Sequence, residues 1–65
     1  MTWEYRVVNR CGELAIFEVY YNDSGEVVGF SGDPTYPAGE TLDELVLNMN
    51  MYQEAILKPV VDFWD

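Results

Sequence analysis

Apolar and polar positions alternate at the start of the chain. Trp3, Tyr5 and Val7 fall on one side of an extended segment and Glu4 and Arg6 on the other, the period of a half-buried strand over residues 3–8. Asn9, Arg10, Cys11, Gly12 and Glu13 supply turn residues. Residues 14–21 then read as a second strand rich in β-branched and aromatic types. Ala15, Phe17, Val19 and Tyr21 face one way; Leu14, Ile16, Glu18 and Tyr20 face the other. A strand apolar on both faces belongs at the centre of a sheet or has its outer face covered. Asn22, Asp23, Ser24 and Gly25 signal a hairpin, with Gly25 placed where positive φ is required. Residues 26–31 form a third strand, and residues 32–39, with Pro34 and Pro37, a connecting loop.

The clearest element is a helix. Thr41 and Glu44 fit a capping box, and Glu40, Asp43 and Glu44 put negative charge at the positive end of the helix dipole. Leu42, Leu45, Val46, Met49, Tyr52 and Ile56 recur at helical spacing and read as the core stripe. Pro59 stops the helix by pushing Lys58 out of the helical region. Residues 59–65 are a docked tail or a short edge strand, because Val60, Val61, Phe63 and Trp64 are too apolar for a solvated end. The predicted class is therefore α+β: one domain over residues 1–65, order β-β-β-α. Its antiparallel sheet has three strands, or four if the tail pairs, with one helix packed on one face.

Composition sharpens this picture. Sixty-five residues are too few for two domains, and so short a chain buries only about 60% of its unfolded surface. Cys11 is the single cysteine, so no internal disulfide forms, and with no His a tetrahedral N/S metal site is disfavoured. The expected cofactor list is empty. Stability must then come from a dense core or from association, and two Trp, five Tyr and three Phe supply apolar mass for either. Three Lys and Arg against twelve Asp and Glu give a net charge of −9. That charge repels phosphate backbones and anionic membranes and favours a basic partner, although solubility alone is a sufficient reason for it. The amino terminus has no basic stretch followed by an apolar segment, and no apolar run approaches the ~20 residues of a membrane span. A cytoplasmic location is expected.

Few residue constellations point to catalysis. Without His, nucleophile–base pairs of the Ser/His or Cys/His kind cannot be built within one chain. The carboxylates stand in turns and at the helix start, where solvation is their ordinary fate, and an acid/base pair would need two of them in a cleft. Residues 22–26 resemble a fragment of a calcium loop. With Gly25 at the sixth position, however, Tyr20 and Ser31 would occupy the first and twelfth, and neither supplies the carboxylate required. A non-catalytic chain is expected.

At 100° per residue, Leu47, Met51 and Ala55 lie opposite Leu42, Val46, Met49 and Ile56, with Glu44, Glu54 and Lys58 around them. A helix packed only on its own sheet should be polar there. Leu47, Met51 and Ala55, with Phe63 and Trp64 of the tail, are therefore the candidate interaction surface, or else the tail covers the stripe. The partner would be a basic protein or a second copy. The alternative is an acidic nucleic-acid mimic that occupies a DNA- or RNA-binding cleft, or a structural domain with no dedicated ligand.

The three-strand unit, the loop ending in Gly39, Glu40, Thr41, Leu42, Asp43, Glu44 and Leu45, and the helix closing near Ala55 and Ile56 together resemble the HicB-type antitoxin module over residues 39–56. That resemblance implies a partial RNase H-like fold, and a non-catalytic domain that dimerises and masks a small basic ribonuclease. The family's proline- and glycine-containing motif after the second strand is replaced here by a hairpin. No DNA-binding segment follows the helix within these residues.

Overall fold

The computed structural model describes residues 1–63. Two long strands, β1 (Thr2–Arg10) and β2 (Glu13–Tyr21), pair antiparallel along their whole length. Their two-residue loop puts Cys11 at φ 56° and Gly12 at φ 88°. Two consecutive positive φ values define the primed turn that matches strand twist. Asn9 steadies it by accepting the Gly12 amide at 3.0 Å. The second turn is held by Asn22, whose side-chain oxygen accepts the amides of Ser24 and Glu26, each at 3.0 Å, with Gly25 at φ 80°. Strand β3 (Val27–Phe30) follows, joined to β2 with a register irregularity at Tyr20/Tyr21. Beyond it, Ser31 and Thr35 still donate backbone bonds to Glu18 and Ile16, so the loop keeps tracking β2.

The helix α1 (Leu42–Ile56) opens with the capping box complete: Thr41 accepts the Glu44 amide at 3.1 Å, and Glu44 accepts the amides of Thr41 and Glu40. Gly39 lies so close to this first turn that a Cβ there would stand 2.6 Å from the Leu45 amide nitrogen. After Pro59 the chain forms β4 (Val61–Asp62), and Phe63 donates to the Asn9 carbonyl.

The sheet order is β3-β2-β1-β4, and β4 lies parallel to β1. The expected all-antiparallel sheet is thus corrected to a mixed one. The helix carries the chain back along the sheet before β4 begins, so the last strand enters in the direction of β1. Its pairing at Val8 and Asn9 also removes part of the open β1 edge that a three-stranded sheet would leave.

Both faces of the sheet are covered, by different means. Register and pleat put Val8, Phe17 and Val19 on the same face as Glu4 and Arg6. These three are fully buried, and Ala15, Tyr21, Val27, Phe30, Val61 and Phe63 pack around them. Phe63 meets Phe30 at 4.7 Å and Phe17 at 5.8 Å between ring centroids, while the Arg10 guanidinium lies over both Phe17 and Phe63. The opposite face, with Trp3, Tyr5 and Val7, takes the helix: Tyr52 packs on Tyr5 at 4.5 Å, and Trp3 meets Tyr5 edge-on at 5.1 Å.

Candidate functional site

The packed side of α1 differs from the expected core stripe. Tyr52 and Ala55 are buried, and Leu45 and Asn48 are half-buried, so the inward side is Leu45, Asn48, Tyr52 and Ala55. Leu42, Val46, Met49 and Ile56, expected in the core, are exposed by 75%, 50%, 44% and 64%. The reason is local. A helix apolar on nearly every side does not reveal its inward face by hydrophobicity. Here that face is chosen by the Tyr52–Tyr5 contact, by Ala55 permitting close approach, and by Asn48, whose amide oxygen accepts the Ala38 amide at 2.9 Å. A polar residue on the packed side was the signal that a purely apolar stripe overlooks.

Of the five candidate interaction residues, Leu47 and Met51 stand on the surface together, 66% and 44% exposed. Ala55 does not join them: it is buried against the sheet. Phe63 is half-buried and packs against the core cluster on the other side of the sheet. Trp64 lies outside the described residues.

At 100° per residue, the exposed part of α1 divides into two strips either side of the packed face. One carries Leu42, Val46, Met49, Gln53 and Ile56, with no charged residue between them. The other carries Leu47 and Met51, flanked by Asp43 and Glu54 on one side and Glu44 on the other. Exposed apolar residues taken singly are ordinary. Here, however, the accessible surface, 4698 Å², exceeds the roughly 4,250 Å² that size scaling gives for a folded monomer of this mass.

Charged groups gather at the far end of β1. Glu4 takes a hydrogen bond from the Lys58 ammonium and another from the Tyr21 hydroxyl at 2.7 Å, while Arg6 donates to Tyr21 at 2.9 Å and to the Pro59 carbonyl at 2.7 Å. The Lys58 bond first, and then the Tyr21 bond, hold the Glu4 carboxyl below its ordinary value. Burial, followed by Glu4, pushes the Tyr21 hydroxyl up. This network ties the segment after the helix to β1. Tyr52 is also pushed up, chiefly by burial. The neighbouring Thr35 hydroxyl donates to the Ile16 carbonyl, and Tyr52 is left with no hydrogen bond of good geometry.

Among the described residues no pocket opens in the surface, and no three acidic or cysteine side chains gather as metal ligands would. No helix among the described residues is long and apolar enough to cross a membrane. No protein-family model matches the chain, and no match is found among curated proteins or solved structures.

Proposed function

We propose that the chain is a non-catalytic protein-interaction module that docks a basic protein through the Leu47/Met51 strip of α1. The observation that carries this reading is the exposure of two large apolar side chains one turn apart, framed by Asp43, Glu44 and Glu54 on a chain of net charge −9. The apolar pair offers area to desolvate, and the carboxylates steer a positively charged surface onto it. If the HicB-type resemblance holds, the partner is a small basic ribonuclease whose active surface is masked.

The test is affinity capture from nuclease-treated lysate of the source cells with the wild-type chain and with a Leu47→Asp/Met51→Lys variant, each eluted along a salt gradient. A stoichiometric small basic protein, held by the wild type beyond moderate salt and lost by the variant, is the expected result. Recovery of the bait alone, or equal capture by both chains, overturns the reading. Complete release at low salt from both chains would instead favour charge mimicry of a nucleic acid.

A further inference from the structure

The other exposed strip of α1 has a spacing of its own. Leu42, Val46, Met49, Gln53 and Ile56 follow one another at intervals of four, three, four and three residues. That is the a/d repeat of a two-helix seam, narrower than the stripe of a helix laid on a sheet. The five positions fall within an arc of about 80°, and Asp43, Glu44 and Glu54 all lie at least about 60° outside it. The sheet does not use this seam, since its four apolar members are all exposed.

We infer that the seam pairs with the same seam of a second copy, the two helices running antiparallel about a two-fold axis near Met49. This inference does not depend on what the Leu47/Met51 strip binds. Charge selects the occupant. A chain of net charge −9 can approach its own copy only where carboxylates are absent, and the seam is the uncharged strip of the helix surface, whereas the strip that suits a basic partner is the carboxylate-framed one. Charge also selects the direction. Parallel pairing would press two sets of Glu40, Asp43 and Glu44 together; antiparallel pairing separates them and sets the two helix dipoles head to tail. The pairing is self-complementary, as two-fold association requires, with Leu42 of one copy near Ile56 of the other. A 15-residue helix is about 22 Å long and offers on the order of 400 Å² of outward surface, below the ~800 Å² per partner of a standard interface. The dimer is therefore weak and transient.

Sedimentation equilibrium of the purified chain from about 1 μM to 1 mM, at low and at high salt, reads this directly. The expected result is a monomer–dimer equilibrium that tightens as salt screens the like charges, the opposite of what a basic partner would show. Two variants at the solvent-facing Gln53 leave the fold alone. Gln53→Leu should tighten the dimer roughly fivefold or more, and Gln53→Glu should loosen it roughly tenfold. In a Cys11→Ser background, oxidation of Met49→Cys should give a covalent dimer, and Leu42→Cys alone should give little. A chain that stays monomeric to 1 mM, or Gln53 variants that leave the association unchanged, overturns the inference. Efficient self-cross-linking of Leu42→Cys overturns the antiparallel arrangement. None of these results alters the capture experiment at Leu47 and Met51, so the two readings fail separately.

Discussion

On the Val8 side of the sheet, residues from all four strands and the chain's return at Phe63 converge on Phe17, with Arg10 laid across the rings. On the Tyr5 side a single helix makes the cover, and of its fifteen residues only Tyr52 and Ala55 are buried. The two sides use similar apolar chemistry to different ends. The first is closed by the chain itself, through contacts far apart in sequence. The second is closed only along one line of the helix, leaving two apolar strips on the surface. For a small domain this matters, because a core so limited gives a narrow stability margin and exposed strips invite association.

The contrast breaks most visibly if the closed side is emptied. Phe17→Ala should cost about 3–5 kcal/mol, most or all of the stability of a domain this size, in thermal or urea unfolding. Met49→Ala on the open side should change the monomer by less than about 0.5 kcal/mol in the same measurement. Comparable losses at the two positions would mean that the helix strip is part of the core after all.

A smaller effect is expected where the two sides are stitched together. Glu4→Gln should lose about 1 kcal/mol or less at neutral pH, since Glu4 and Lys58 are both partly exposed and solvent screens their pairing. Glu4 titrates below its ordinary value of 4.5 in the folded chain. Its contribution is therefore present above the unfolded value and lost as pH falls through the folded one. The gap between wild type and Glu4→Gln should close progressively below about pH 4.5, in paired unfolding curves taken from pH 7 down to pH 3. The smallest effect is at the β1–β2 turn. Cys11 holds φ 56°, a conformation that Asn adopts more readily, so Cys11→Asn should stabilise by a few tenths of a kcal/mol in urea unfolding.

Much of the fold was legible from local chemistry. Alternation marks β1, the double-sided β2 foretells a strand covered on both faces, the Asn22–Gly25 chemistry marks the hairpin, and Thr41 with Glu44 marks the helix start. What was not legible depends on tertiary choices. The direction of β4 follows from how the helix carries the chain back along the sheet, and two residues of strand carry no directional signal. The inward face of α1 is hidden from a reading by hydrophobicity because Leu42, Val46, Met49 and Ile56, its most apolar line, are exposed. The face that packs includes Asn48 and Ala55, chosen by a bond to Ala38 and by proximity to the sheet. For the same reason Ala55 and Phe63 are drawn into the two packed layers, while Leu47 and Met51 stand exposed.

On the association proposed above, the outer strips of α1 are exposed in the folded monomer and become covered in the dimer or complex. The most direct test is the melting temperature of the wild-type chain and of Gln53→Glu across a hundredfold range of protein concentration. The wild-type midpoint should climb with concentration, because dimerisation stabilises the folded state by mass action. The variant's should begin to climb only at roughly tenfold higher concentration, and the two should coincide at the dilute end. A wild-type midpoint independent of concentration, or a variant destabilised even when dilute, would contradict it.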